Sequence, residues 1–164
     1  MKAASSDMKA ASWPPGTHYV DEANLAIAFF TGVTRGGDAP LMYEKRAQSW
    51  QGRSWNEVAN SVRRLASVLV DAGVSAGDRV MISAENRPEW AIADLAIMAI
   101  GAIVVPAYVT NTEDDHYFIM DHSGASAVIT SGGLLGARIA LAASRAPGLQ
   151  MMILMDDDAT VPPV

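Results

Sequence analysis

The stretch that decides the fold is residues 79–106, RVMISAENRPEWAIADLAIMAIGAIVVP. It opens with a short run of strand-favouring residues, 80–83, passes through an apolar segment of helical length, and returns to a β-branched run, 103–106. Pro88 suits the first turn of the intervening helix, and Gly101 suits its exit. The succession of strand, helix and strand predicts two parallel strands joined by a crossover helix.

The same alternation continues downstream to residue 155. Strands are predicted at 127–130 and 151–155, and helices near 88–100, 112–122 and 134–146, closed by Gly101, Gly124 and Gly148. Each strand–helix–strand unit fits a right-handed crossover. The predicted fold class is therefore α/β, with a parallel sheet and crossover helices.

Upstream of the sheet, residues 39–55 predict a short antiparallel β-hairpin. Gln51-Gly52 is its expected turn, since strand-favouring residues bracket a glycine. Ser54 and Glu57 then have the spacing of a capping box, and apolar residues recur at helical spacing after them. A helix is therefore expected to begin directly after the hairpin.

Length and composition favour one compact unit. The chain has 164 residues, 50% of them hydrophobic, which suffices for one core but not for two ordinary domains. We assign residues 17–155 to the α/β domain, residues 1–16 to a disordered tail, and residues 156–164 to a loop cut short after a buried-looking strand. The tail repeats itself, since residues 1–5 recur as residues 8–12, and it lacks the apolar region of a secretory signal.

Charge and cysteine content exclude several functions. The formal charge is −6, with 12 basic against 18 acidic residues, which argues against a nucleic-acid partner. The chain has no cysteine, so it has no disulfide framework, thiolate zinc site or cysteine nucleophile, and a cytoplasmic protein fits best. Residues 90–109 are apolar enough to suggest a membrane span. Asp94 and Pro106 lie inside this stretch, however, and Gly101 divides it more naturally into a helix and a strand.

Residues 130–136, TSGGLLG, follow a predicted strand and open a helix, so their backbone amides could bind an anion. They lack the Gly-Lys-Ser/Thr ending of a Walker loop and the GxGxxG spacing of the dinucleotide fold. An ordinary strand-to-helix turn is the favoured interpretation, and an anion contact is the alternative.

The remaining polar clusters do not indicate a metal or catalytic site. His116 and His122 are six residues apart, which places their rings on different helix faces. With His18 they are interpreted as polar surface residues. The three aspartates at 156–158 lack a calcium-binding loop and are interpreted as a solvated charge run. From the residues alone, the chain is an α/β domain without a visible active site.

Several segments resemble one known family, in order and in spacing. They are RSWNEVA at 53–59, GVSAGDRV at 73–80, NRPEW at 86–90, ADLA at 93–96, GAIVVPAY at 101–108 and DHSGA at 121–125. Together they resemble the N-terminal region of the adenylate-forming ligases. NRPEW with Pro-Ala-Tyr is similar to the long-chain fatty acid CoA ligases, and the resemblance covers residues 17–155.

The resemblance implies a two-step ligase for the complete parent protein. A fatty acid carboxylate attacks the α-phosphate of ATP to give an acyl-adenylate, and the thiol of coenzyme A then displaces AMP. Mg²⁺ would assist by offsetting phosphate charge. The family's catalytic motifs, including a phosphate loop ending Pro-Lys-Gly, are expected beyond Val164. No catalytic residue therefore carries over, and the chain is expected to be an N-terminal fragment that is inactive alone.

The resemblance also places three residues near the nucleotide end of coenzyme A. They are Tyr108, Thr110 and Arg138, and the plainer interpretation makes them ordinary loop and surface residues. Trp90 is expected to anchor the core, with a substrate gate as the alternative.

Two alternatives for the function remain open. One keeps the family and changes the acid to an aryl acid, an amino acid or a luciferin-like substrate. The other is a non-catalytic, doubly wound binding module. A homodimeric parent and peripheral contact between the parent and a membrane are both compatible with the resemblance, although no anchor is visible in the residues.

Overall fold

Five helices and six strands follow one another in the part of the chain that the structure, a computed structural model, describes, which is residues 22–156. In chain order they are α1 Leu25–Gly36, β1 Pro40–Arg46, β2 Ser49–Ser54, α2 Trp55–Asp71, β3 Arg79–Ser83, α3 Pro88–Ala99, β4 Ile103–Pro106, α4 Glu113–Ser123, β5 Ala127–Thr130, α5 Gly133–Arg145 and β6 Met151–Leu154. The tail predicted at residues 1–16 lies outside the described residues, as does all but the first residue of the loop predicted at 156–164.

The last four strands form one parallel sheet in the order β4-β3-β5-β6. Each strand is joined to the next by a single helix, α3, α4 or α5, so the predicted α/β class is confirmed. The bounds of β4 and β5 are those predicted, and those of β3 and β6 differ by one residue. β4 lies on one side of β3 whereas β5 and β6 lie on the other, so the strand order reverses beside β3.

Helices cover both faces of the sheet and create two apolar layers. Val80 and Ile82 of β3 belong to a core shared with α1, α2 and α3. Met81 points to the opposite face and belongs to a second core with α4 and α5. The apolar stretch 90–109 is divided between α3 and β4, as predicted. Within residues 22–156, no helix has both the length and the hydropathy to span a membrane.

β1 and β2 form the predicted antiparallel hairpin, but its predicted turn at Gln51-Gly52 is wrong. The chain reverses at Ala47 and Gln48, with Ala47 at a φ of 51°. Gly52 lies inside β2, opposite Tyr43. A Cβ on Gly52 would lie 3.2 Å from Cε1 of Tyr43, so this glycine makes room for an aromatic ring rather than for a turn.

Helix ends follow local backbone chemistry. Ser54 Oγ accepts a hydrogen bond from Glu57 N at 3.2 Å, and the Glu57 carboxylate accepts one from Ser54 N at 2.7 Å, which confirms the capping box. α5 was predicted to be closed by Gly148, but it ends at Arg145. Ala146 is extended because the residue before a proline is disfavoured in the helical conformation.

α1 was not predicted from the sequence, and its packing depends on one aromatic ring. Asn24 caps the helix by accepting a hydrogen bond from Ile27 N at 2.9 Å. The Trp55 ring stacks on Phe29, with ring centroids 5.9 Å apart. It also lies against Gly32, where an added Cβ would be 2.6 Å from Trp55 Cζ3. The helix can approach Trp55 this closely because Gly32 has no side chain.

We expect Gly32→Ala to destabilise the domain by about 1–3 kcal/mol, because the new methyl group overpacks the Trp55 indole. Without that contact, alanine would be favoured over glycine in a helix by roughly 1 kcal/mol. Urea denaturation followed by circular dichroism measures the difference. Gly148→Ala is the matched control, since a Cβ there meets nothing within 4 Å. In a double-mutant cycle with Trp55→Leu the penalty should disappear, and an undiminished penalty would contradict the packing argument.

Candidate functional site at the carboxyl edge of the sheet

The loops that leave the carboxyl ends of β3, β4, β5 and β6 gather at one edge of the sheet. They are residues 84–87, 107–112, 131–132 and 155–156. In open parallel sheets, ligands bind outside this edge, at the point where the strand order reverses. The reversal lies here between the ends of β3 and β5, at Ser83 and Thr130, which are partners in register. This edge is therefore the candidate functional site.

A chain of charged side chains ties these loops together. Asp156 accepts hydrogen bonds from Arg87 Nη1 at 2.6 Å and from Gly132 N at 2.7 Å. The Gly132 amide and then the Arg87 guanidinium hold the pKa of Asp156 below its usual range. Arg87 Nε also donates to Glu89 at 2.9 Å, and Glu89 accepts a second bond from Arg53 Nη2 at 2.5 Å. The network connects the hairpin, the start of α3, the start of α5 and the exit of β6.

The hydrogen bonds of this network bear on two polar features predicted from the sequence, the 130–136 turn and the aspartates at 156–158. The Gly132 amide, which lies just before the first residue of α5 in the 130–136 turn, already donates a hydrogen bond to the Asp156 carboxylate. The favoured interpretation of that turn, an ordinary connection from strand to helix, therefore agrees with the structure. Asp156 itself is not part of a solvated charge run, since it is paired with Arg87 and accepts a hydrogen bond from the Gly132 amide. Residues 157 and 158 lie outside the described residues.

Asp156→Asn should lower the stability of the domain at neutral pH. Because the pKa of Asp156 is lowered on folding, its ionised form stabilises the fold above the usual aspartate range, and this contribution is lost as the pH falls through the lowered pKa. The difference between wild type and variant should therefore shrink below a pH of about 4. Urea titrations across this range measure it, with Asp121→Asn on the exposed end of α4 as the control. A difference that does not change with pH would argue against the ion pair.

One cleft at this edge lies between the β3 and β4 loops. It has a volume of about 470 Å³ and is lined by Ala84, Glu85, Asn86, Trp90, Tyr108 and Val109. The hydroxyl of Ser131 donates a hydrogen bond to the Glu85 carboxylate, which connects the β5 exit to this cleft. Trp90 also packs against the core, so its side chain serves both the core and the wall of the cleft. Both interpretations of Trp90 made from the sequence remain open.

A second cleft, of about 500 Å³, lies between the β4–α4 loop and the first turns of α5. It brings Thr110 and Arg138 together, two of the three residues predicted to lie near coenzyme A. Tyr108 is 81% exposed and faces the first cleft instead. Arg138 is not simply solvated, because its Nη1 donates hydrogen bonds to the carbonyls of Val109 at 3.2 Å and Asn111 at 3.0 Å. These bonds fix both the guanidinium and the loop.

His116 is the polar residue that the sequence interpretation placed wrongly. It lies on the buried side of α4 and is 0% exposed. Neither of its ring nitrogens has a hydrogen-bond partner among the described residues. Burial lowers the pKa of His116, and the positive charge of Arg138 lowers it further. His122 is exposed as predicted and stacks on Phe118, with ring centroids 5.2 Å apart. His18 lies outside the described residues.

His116→Met should leave the domain at least as stable as wild type near pH 7, because an apolar side chain of similar size replaces an unpaired buried imidazole. The wild type should lose stability as the pH falls below about 6.5, since the unfolded histidine takes up a proton that the buried one resists. The variant should lack that part of the pH dependence. Thermal unfolding between neutral pH and pH about 5 measures the slopes, with His122→Met as the exposed control. Identical slopes for wild type and His116→Met would show that His116 does not contribute.

The fold and the carboxyl edge of the parallel sheet define the class of protein. A parallel sheet wound in both directions from β3, with two clefts at its carboxyl edge, is a doubly wound α/β domain. The family described as AMP-binding enzyme matches residues 29–162. Because that match covers most of the chain, the protein belongs to the AMP-binding enzyme family, the adenylate-forming ligases.

Curated relatives are named as ligases of long-chain fatty acids. Long-chain-fatty-acid–CoA ligase FadD15 of Mycobacterium tuberculosis is 34% identical over 104 residues, which are 63% of this chain and 17% of that protein. Long-chain-fatty-acid–CoA ligase 6 of Rattus norvegicus is 32% identical over 151 residues, which are 87% of this chain and 22% of that protein. The chain thus spans about a fifth of the length of these relatives.

Solved structures of the same family share the fold. The N-terminal domain of FACL13 from Mycobacterium tuberculosis superposes with a TM-score of 0.73 at 19% identity, over 86% of this chain and 38% of that one. The anthranilate CoA ligase AuaEII, solved with anthranoyl-AMP, superposes with a TM-score of 0.72 at 16% identity, over 79% of this chain and 24% of that one. The predicted fold, the N-terminal subdomain of an adenylate-forming ligase, is therefore confirmed.

Proposed function

We propose that the parent protein is an acid–thiol ligase that joins a long-chain fatty acid to coenzyme A at the expense of ATP. The observation that carries this proposal is the family match over residues 29–162 together with long-chain ligases at 32–34% identity. Membership of the family supplies the reaction class, and the names of the relatives supply the acid. A cytoplasmic location and a homodimeric parent stay predictions.

The reaction requires two displacements. A carboxylate oxygen of the acid attacks the α-phosphorus of ATP, the bond to the leaving pyrophosphate breaks, and an acyl-adenylate results. The sulfur of coenzyme A then attacks the acyl carbonyl carbon, its proton is lost to solvent or a base, and AMP leaves. Mg²⁺ would offset the phosphate charge in the first step. Residues 22–156 bring no three carboxylate, histidine or cysteine side chains together as metal ligands, so we assign no magnesium ligand to them.

The part of the reaction that we assign to this chain is the binding of coenzyme A. Arg138 offers guanidinium N–H groups beyond the two hydrogen bonds of Nη1, at a cleft that also contains the Thr110 hydroxyl. A planar guanidinium suits a phosphate group, and its attachment to the loop carbonyls orients it in advance. Glu113 borders the same cleft, but Arg145 pairs with it at 3.1 Å and offsets its charge. We place the phosphates of coenzyme A here, with Tyr108 on the neighbouring loop surface.

An aryl acid is the second candidate for the acid. The anthranilate ligase has the same fold at 16% identity, so the fold is compatible with an aryl acid as well as with a fatty acid. Human acyl-coenzyme A synthetase ACSM5 is 32% identical over 107 residues, which are 65% of this chain and 18% of that protein, so a relative with another name also matches most of the chain. AMP release by the purified parent, measured with a long-chain fatty acid and with benzoate, separates the two. Turnover with benzoate and not with the fatty acid would identify an aryl acid as the substrate.

Arg138→Ala in the parent enzyme should raise the KM for coenzyme A about tenfold or more, because one charge-assisted hydrogen bond contributes roughly 1.5–3 kcal/mol. The acid-dependent exchange of pyrophosphate with ATP, which reports the first step alone, should change little. Arg145→Ala is the matched control on the same helix, since its partners are Glu113 and Asp114. A fall in both steps of equal size would show that Arg138 supports the fold rather than coenzyme binding.

A further inference from the structure

An apolar groove opens where α1, β1 and α3 meet, and we call it the α1–α3 groove. It has a volume of about 360 Å³, and eight of its nine lining residues are apolar. Phe29 and Leu95 in its lining are buried, whereas Leu25, the first residue of α1, borders it and is 57% exposed. The groove shares no lining residue with either cleft at the carboxyl edge, so it is a separate surface.

The ninth lining residue is Asp94 of α3, a carboxylate among apolar side chains. It forms no ion pair with any of residues 22–156. Burial raises the pKa of Asp94, because the apolar surroundings disfavour its charged form. A carboxylate in such surroundings is stabilised by a hydrogen-bond donor. The groove therefore fits an occupant that has an apolar body and one donor group.

We propose that the α1–α3 groove binds residues 17–20 of the same chain, with the Tyr19 ring on its apolar lining and the Tyr19 hydroxyl donating to Asp94. Tyrosine has both required parts, since its large apolar ring ends in an O–H donor. Residues 17–20 lie just before the described range, which begins at residue 22. Tyr19 is six residues before Leu25, and six residues extend over about 20 Å at most. The chain that enters α1 at the border of the groove can therefore place this ring inside it.

Covalent attachment favours this occupant over a separate molecule. Residues 17–20 are held beside the groove by the chain itself, so their docking is intramolecular and avoids most of the entropy cost of association. A second copy of the chain would pay that cost, and it would also bring together two molecules that each have a net charge of −6. The inference is independent of the proposed reaction, because its test measures a contact within the chain.

Nuclear Overhauser spectroscopy of the full chain with ¹³C-labelled leucine methyl groups tests the contact directly. We expect cross peaks from a tyrosine ring to the methyl groups of Leu25 and Leu95, and we expect Tyr19→Ser to abolish them. Tyr108→Ser is the matched control, since Tyr108 is 81% exposed and lines a different cleft, and it should leave the cross peaks unchanged. A sample that mixes methyl-labelled chains with unlabelled chains should show no cross peaks between molecules. The absence of the tyrosine cross peaks, or their presence only between molecules, would overturn the proposal.

A double-mutant cycle tests the hydrogen bond to Asp94. Tyr19→Phe should lower the folding equilibrium constant on the order of tenfold, because it removes a donor to a charged acceptor. The same change should have little effect in Asp94→Leu, whose side chain accepts no hydrogen bond, and Tyr108→Phe is the control for loss of an exposed hydroxyl. Urea denaturation at neutral pH measures all four constants of the cycle. Equal effects of Tyr19→Phe with and without Asp94 would rule out the pairing, and the methyl cross peaks decide the docking even where Asp94→Leu does not fold.

Discussion

The central position of β3 is the constraint on which the rest of the structure depends. Its backbone pairs with β4 on one side and β5 on the other, so that Val80 is in register with both Val104 and Ala127. Its side chains are buried on both faces. A slip of one residue would exchange the two faces of a strand and place its side chains in the wrong core. The carboxyl ends of the strands, and with them the loops that form the two clefts, are therefore fixed in place.

Charged side chains at that edge hold the loops in position rather than supply much stability. The pairs that run from Arg53 through Glu89 and Arg87 to Asp156 are partly exposed, and single pairs of this kind contribute about 0–1 kcal/mol. Their effect is geometric, because they join segments that are far apart in the chain. The NRPEW segment supplies both Arg87 and Glu89, so the charged residues of this family-like motif have a structural explanation independent of catalysis. Arg138 does the same for the β4–α4 loop.

Much of the fold followed from local patterns, and the errors share a cause. Strands of the parallel sheet were predicted to within one residue, because short β-branched runs between turn signals identify them. The turn was misplaced at Gln51-Gly52 because a glycine between strand residues has two local explanations, and the position of Tyr43 selects between them. α1 was not predicted, although Asn24 is a good capping residue. The apolar side chains of this helix pack against Trp55, and the local sequence pattern does not reveal that contact.

At the candidate site too, the sequence predicted local features correctly and missed contacts between distant residues. A spacing of six residues correctly separated His116 from His122 on α4, but spacing does not reveal which helix face is buried. The family resemblance named Thr110 and Arg138, and the structure brings them to one cleft while directing Tyr108 to another. Composition and periodicity were sufficient for the fold class and for the order of elements from β1 onward, because these depend on neighbours within a turn or a strand. The clefts, the Arg87–Asp156 pair and the burial of His116 depend on residues distant in sequence, and such contacts form only when strand register and helix packing bring these residues together.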